Sequence, residues 1–326
     1  MLKLKHLFAN FNAALMVVNY WTDLKEVPES FNYFRTAANA IYPFEINEQV
    51  YYLRMAPKDE KDKEHVIAEL EFINYLKSSD YSVVECVPSK YGNQLEEVVT
   101  PLGTYYAVVF KSVPGKQLGQ VDLTNEIVFN WGLSLGKLHN LSNEFNPDHK
   151  RPSWLDQFSW MREVLNDFQD ENLAIKELSL LEDYFKDLEV SDEHYGLIHF
   201  DFEPDNVFYD EESGLFTPID FDDSVYHWYV VDIERSLNSI EEEFPKELHE
   251  QYTKKFLSGY RSVRSIDEKL YKLIPLFARY ANLYGYIRCL RSVTESWNHE
   301  PEWMISLRAH LGRLMEKRSR EFGKTI

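Results

Sequence analysis

One stretch of the chain concentrates residues able to do chemistry. It reads Gly196-Leu197-Ile198-His199-Phe200-Asp201, continues through Glu203-Pro204-Asp205-Asn206, and ends Ile219-Asp220-Phe221-Asp222-Asp223. Two short apolar runs, Val207 to Tyr209 and Leu215 to Ile219, flank a polar turn from Asp210 to Gly214. That pattern predicts a β-hairpin. Folding it about Glu212 brings Asn206 near Pro218, one pleat from Asp220. An Asn carbonyl and an Asp carboxylate are hard oxygen ligands. They suit Mg²⁺, which completes its shell with water and phosphate oxygens. Asp201 enters the same end of the hairpin, where a carboxylate could accept the proton of a substrate hydroxyl. Taken singly, each of these residues fits a turn or cap as well. The spaced set favours catalysis.

The elements around this stretch follow from periodicity and punctuation. An amphipathic helix is expected over about residues 4–26, stopping before Pro28. Val50 to Met55 reads as a strand ended by Pro57, followed by a charged loop from Lys58 to Lys63. Glu64 to Lys77 has helical spacing through Val66, Leu70 and Ile73. Val83–Val87, Gln94–Thr100 and Tyr105–Lys111 read as strands. Val113-Pro114-Gly115 breaks the pattern and marks a hinge. Asp122 is the expected N-cap of a helix reaching Leu141. Long helical patterns return at about 160–188, 245–262 and 267–318. Gly132 and Gly136 are expected to serve close helix packing. Tyr226 to Tyr229 and the tyrosines at 280, 284 and 286 are expected in the core or at a helix start.

Composition narrows the function classes. The 326 residues suffice for two packed lobes. Asp and Glu number 54 against 35 Lys and Arg, a formal net charge of −19. A general nucleic-acid binder needs the opposite balance. With 44% apolar and 15% aromatic residues, a sizeable core is expected and wholesale disorder is not. The 12 glycines form neither a Rossmann fingerprint nor a Walker loop. The two cysteines, Cys86 and Cys289, offer neither a disulfide framework nor a zinc site, and His65, His139 and His149 lack ligand spacing. Ala13 to Val18 is too short for a membrane span or a signal peptide. The expectation is a cytoplasmic protein with no membrane or nucleic-acid partner.

The order H-x-D-x-x-x-x-N followed by D-F-x is that of the kinase catalytic loop and metal motif. In detail, His199-Phe200-Asp201 with Asn206, then Ile219-Asp220-Phe221-Asp222, resembles the aminoglycoside phosphotransferase and choline kinase group of small-molecule kinases. The resemblance spans about residues 30–300. It implies an α+β, protein-kinase-like fold of two lobes. Residues 1–112 would form an antiparallel-sheet lobe binding ATP, and 113–326 a mainly helical lobe binding a small-molecule acceptor. It implies Asp201 as catalytic base, Asn206 and Asp220 as Mg²⁺ ligands, and His199 and Asp232 as supports of the loop. Leu135-Gly136-Lys137-Leu138-His139 matches a helix end of the family.

A kinase also needs a strand cation for the phosphates and a helix carboxylate to hold it. Arg54 and Glu69 are the expected pair, since Glu69 borders the apolar face of its helix and Glu71 does not. Thr36 to Ala40, with Asn39, would cover the phosphates, and Phe110 to Val113, including Lys111, would meet adenine through the backbone. Three departures stand out: Arg54 for the usual lysine, Phe200 for the usual glycine, and no glycine in the covering loop. Glu203, Asp222 and Asp223 are either solvated loop acids or contacts for the acceptor. The acid excess favours a cationic acceptor such as an aminoglycoside or amino alcohol. A metabolic kinase for a neutral or zwitterionic acceptor, such as homoserine or a sugar, and a catalytically silent nucleotide binder are the alternatives. A metal-dependent hydrolase built on His199 and Asp201 lacks further ligands. The donor, ATP or GTP, and the oligomeric state are not legible.

Overall fold

The structure is a computed structural model describing residues 1–325. The chain opens with a 3-10 turn at Leu4–His6 and helix α1 (Phe11–Val18). The single helix expected over 4–26 does not form. Leu2, Leu4 and Leu7 pack in a cluster with Cys289, Met304 and Leu311, whereas Ala14, Val17 and Val18 pack on the sheet. Two different apolar partners pull the segment apart. Asn19 then ends α1, its side chain bonding both the N–H and C=O of Leu24 at 2.8 and 2.9 Å.

Strands β1 (Arg35–Thr36), β2 (Ala40–Ile46) and β3 (Gln49–Pro57) follow. Asn47 and Glu48, at φ 51° and 66°, make the tight two-residue turn between β2 and β3. Helix α2 (Lys63–Ser78) is capped by Asp62, which accepts from the N–H groups of Glu64 and His65. Strands β4 (Cys86–Val87), β5 (Glu96–Thr100) and β6 (Gly103–Lys111) complete an antiparallel sheet ordered β1-β2-β3-β6-β4, with β5 also on β6.

The connector forms strand β7 (Lys116–Gln117). Helix α3 (Asn125–Glu144) begins two residues later than expected, because Thr124 rather than Asp122 caps it through Ile127 N–H. The pattern at 160–188 resolves into α4 (Trp154–Asn166) and α5 (Asn172–Lys186), the first started by a Ser153–Asp156 capping box. Then come β8 (Tyr195–Ile198), β9 (Val207–Tyr209), β10 (Phe216–Pro218) and β11 (Val225–Trp228). Helix α6 (Val230–Glu243) was not expected. Its buried stripe mixes Val230, Ile233 and Ile240 with Asp232, Glu234 and Ser236, which masks the periodicity. Helices α7 (His249–Arg261), α8 (Glu268–Tyr271), α9 (Ile274–Ser292) and α10 (Glu302–Arg318) end the fold. The pattern at 267–318 is thus three helices, α10 starting after Pro301. A sheet lobe and a mainly helical lobe make up the α+β arrangement the resemblance implies.

Helices α3 and α7 cross at close quarters. A Cβ at Gly132 would lie 2.0 Å from Phe256 O, and one at Gly259 would lie 1.8 Å from Phe129 O. Gly259→Ala must therefore push the helices apart. A loss of about 3 kcal/mol in urea unfolding is expected, at the upper end for overpacking. An unchanged midpoint would show that the crossing yields easily.

Candidate active site

The hairpin of β9 and β10 pairs Val207 with Pro218 and Tyr209 with Phe216. Its next rung is Ile219 N–H donating to Asn206 O at 2.9 Å. Asn206 thus faces Ile219, one residue beyond the expected register, and Asp220 follows at once. Asp220 turns the chain at φ 60°.

Asp201 and Asn206 are joined directly. Asn206 Nδ2 donates to Asp201 Oδ2 at 2.8 Å and to Asp201 O at 3.1 Å. Its Oδ1 is left without a hydrogen bond among the described residues, as is the Asp220 carboxylate. Arg235 on α6 donates to Asp201 Oδ1 at 3.2 Å and pairs with Glu203 at 2.5 Å. Arg235 carried no sequence motif and was not anticipated.

His199 is fully buried. Its Nδ1 accepts from Asp201 N–H at 3.2 Å, so Nε2 holds the proton and donates to Ile219 O at 2.9 Å. The ring clamps loop to hairpin and has no lone pair left for chemistry. Asp232 accepts from His199 N–H at 2.9 Å and Phe200 N–H at 2.7 Å. It also accepts from His139 Nε2 at 3.1 Å, and His139 Nδ1 meets the Tyr260 hydroxyl at 2.9 Å. Phe200 occupies φ 70°, a region costly for a side chain. The two backbone bonds to Asp232 and burial of its ring against Tyr284, centroids 5.3 Å apart, hold it there.

Across the cleft, Arg54 on β3 makes a two-pronged pair with Glu69 on α2, both contacts at 2.7 Å. Both side chains are buried, and the guanidinium lies 5.0 Å from the Phe110 ring. Glu71 turns away and holds His149. Asp222 reaches to this side. It accepts from Asn39 Nδ2 at 3.0 Å and pairs with Lys61. Lys61, within the charged loop, was another residue the sequence did not single out. Asp222 therefore sits with the sheet-lobe cations, not with Glu203 and Asp223 on the helical side. Asp223 pairs with Arg288 on α9.

The acids divide electrostatically. Burial, with the Asp222 charge beside it, pushes the Asp220 carboxyl up to about 7, although its side chain still meets water in the cleft. Burial alone would raise Asp222 too, but Lys61 and Arg54 outweigh it and hold that carboxyl below the usual range. Burial pushes Glu203 up to about 8, with Asp201 adding to the effect against the opposing pull of Arg235.

At the connector, Lys111 N–H is committed to Glu85 O at 2.9 Å and Ser112 N–H to Val50 O at 3.1 Å. Val113 N–H has no partner among the described residues. No group of three or more His, Cys, Asp or Glu side chains could hold a metal among them, and no helix is long and apolar enough to cross a membrane. The donors Asn206 Oδ1 and Asp220 suit a cation that brings phosphate and water oxygens with it.

The profile of the phosphotransferase enzyme family matches residues 30–266. Amicoumacin kinase of Bacillus subtilis (strain 168) is 23% identical over 292 residues, covering 86% of each chain. Among solved structures, amicoumacin kinase hAmiN in complex with AMP-PNP, Ca²⁺ and Ami superposes with a TM-score of 0.76 at 21% identity, covering 94% of this chain and 93% of that one. A microcompartment-associated aminopropanol kinase gives 0.64 at 20% identity, covering 96% and 97%.

The Arg54–Glu69 pair is internal and two-pronged. Glu69→Ala strands a buried guanidinium, and a loss of about 3 to 5 kcal/mol is expected in denaturant unfolding. A loss below about 1 kcal/mol would mean that solvent or Asp222 takes over as partner.

Proposed function

The chain belongs to the phosphotransferase enzyme family, and on that premise we propose that it moves the γ-phosphoryl group of ATP, held with Mg²⁺, to a hydroxyl of a small molecule. The observation that carries this reading is the state of Asn206. Its amide is spent on Asp201, which leaves its carbonyl oxygen free at the same end of the hairpin as the unpartnered Asp220 carboxylate.

In this reading Asp201 is the catalytic base. It orients the acceptor hydroxyl and takes its proton as the hydroxyl oxygen bonds to phosphorus and the bond to the bridging oxygen of the leaving ADP breaks. Arg235 and Asn206 keep it aimed. Asn206 Oδ1 and Asp220 would hold the metal, which when bound neutralises phosphate charge. Arg54, fixed by Glu69, would bind the phosphates, with Asn39 and Lys61 beside it under the Thr36–Ala40 loop. Because Lys111 N–H is taken, adenine would meet Lys111 through its carbonyl and Val113 through its free N–H. His199 and Asp232 support the loop. Asp222 belongs to the nucleotide side, leaving Glu203 and Asp223 as the acids nearest the acceptor.

An amine-bearing acceptor is a second reading. It is favoured by the four acids Asp201, Glu203, Asp205 and Glu243, which crowd one another around Arg235.

The test is phosphorylation of a panel of aminoglycosides, amino alcohols, hydroxy amino acids and sugars with Mg·ATP or Mg·GTP, read by mass. Asp201→Asn should lower turnover about 10²- to 10⁴-fold while nucleotide affinity persists; turnover near that of the parent would remove the base assignment. Asp220→Asn should abolish the Mg²⁺ dependence of nucleotide binding in a calorimetric titration. An unchanged dependence would move the metal elsewhere. Nucleotide binding with no product from any acceptor would favour a silent binder.

A further inference from the structure

Arg151 stands in the link between α3 and α4 and is buried. Every hydrogen bond of its guanidinium goes to a backbone carbonyl. Nε donates to Ser224 O at 2.8 Å, Nη2 to Asp222 O at 2.5 Å and Nη1 to His65 O at 2.8 Å. No carboxylate pairs with it among the described residues. The three carbonyls come from two places. Asp222 and Ser224 belong to the turn that follows Asp220, whereas His65 lies in the first turn of α2, the helix that carries Glu69.

The link is pinned on the same two sides. Tyr226 N–H donates to Pro152 O at 2.8 Å, and Ser153 forms a parallel bridge with Tyr226. His149 N–H donates to Glu71 Oε2 at 3.0 Å, again on α2. Arg151 is therefore the centre of a short brace between α2 and the segment after Asp220.

A buried cation without a counter-charge is costly, and neutral carbonyls compensate it less well than a carboxylate does. What the arrangement provides is geometry. The planar fork sends its N–H groups in fixed directions, so the carbonyls it meets are fixed relative to one another. The residue that needs this is Asp220. At φ 60° and ψ 63° it lies in the left-handed region, which a side chain tolerates only where the surroundings over-determine the backbone. Before it, Ile219 N–H is bonded to Asn206 O. After it, the buried Phe221 ring lies 4.5 Å from His199 and 5.8 Å from Phe72 of α2, centroid to centroid. Two prongs of Arg151 then hold the carbonyls of the next turn. The Asp220 carboxylate has no partner of its own among the described residues, so its aim depends on that backbone.

We propose that Arg151 is a positioning residue for the metal, holding the backbone that presents the Asp220 carboxylate and tying it to α2. The proposal rests on the phosphotransferase reading above and deepens it.

The experiment measures the affinity of the full chain for AMP-PNP by calorimetry, once with Mg²⁺ and once with EDTA, and takes the ratio. A merely structural loss weakens both and leaves the ratio unchanged. Arg151→Met should lower the ratio about tenfold or more, as expected when an outer support of a metal ligand is lost, while the affinity in EDTA changes far less. Arg151→Lys keeps the charge but loses the fork, and should lower the ratio in part. It carries the test alone if Arg151→Met does not fold. Glu71→Gln, which loosens the same link only at His149, should leave the ratio intact. In the ligand-free chain, amide exchange across residues 219–226 should quicken in Arg151→Met and not in Glu71→Gln. The proposal is overturned if the ratio survives Arg151→Met, if Arg151→Lys retains it in full, if Glu71→Gln lowers it as much, or if exchange is unchanged. A ratio of one in the parent would instead reject the phosphotransferase reading, and the proposal with it.

Discussion

The loop that carries Asp201 hangs on one buried carboxylate. Asp232 receives the N–H groups of His199 and Phe200, one on each oxygen, and the Nε2–H of His139 besides. An uncompensated carboxylate at zero exposure would be prohibitive. Three donors make it tolerable, and each donor comes from a different need. His199 ties the loop to the hairpin. Phe200 must be held in a left-handed conformation. His139 extends the anchor into α3 and on to Tyr260 of α7. The close crossing of α3 and α7 through bare glycines thus continues, bond by bond, into the position of Asp201.

The site is assembled from opposed charges, not from an accumulation of acids. A formal charge of −19 suggests an acidic cleft, yet most acids at the cleft are matched locally. Glu69 has Arg54, Asp222 has Lys61 and Asn39, Glu203 has Arg235, and Asp223 has Arg288. At the hairpin end an Asn206 carbonyl and the Asp220 carboxylate stay without a protein partner among the described residues.

Much of this was legible in the sequence where local pattern and final neighbourhood coincide. The hairpin could be read to within one residue because its turn and both strands are contiguous. The meeting of Arg54 with Glu69 followed from what a kinase needs of a strand cation and from the helix periodicity that sets Glu69 beside the apolar face. Departures arose where partners are distant. Lys61 and Asp222 are 161 residues apart, and nothing in either neighbourhood names the other. Arg235 lay on a helix whose buried stripe is half polar, so the helix and its arginine were missed together. The leading segment kept its helical pattern but was claimed by two separate apolar clusters. A pattern reports which face is apolar, not how many surfaces compete for it.

The connector between the lobes has a mechanical meaning. As β7 it is the third strand beside β9 and β10, and Gly115 passes so close to Tyr209 that a Cβ would lie 2.1 Å from its carbonyl oxygen. The strand that leaves the sheet lobe is therefore fastened to the hairpin carrying Asn206 and Asp220. Strain carried by the connector is therefore passed to the hairpin whose end presents the two unpartnered oxygen donors.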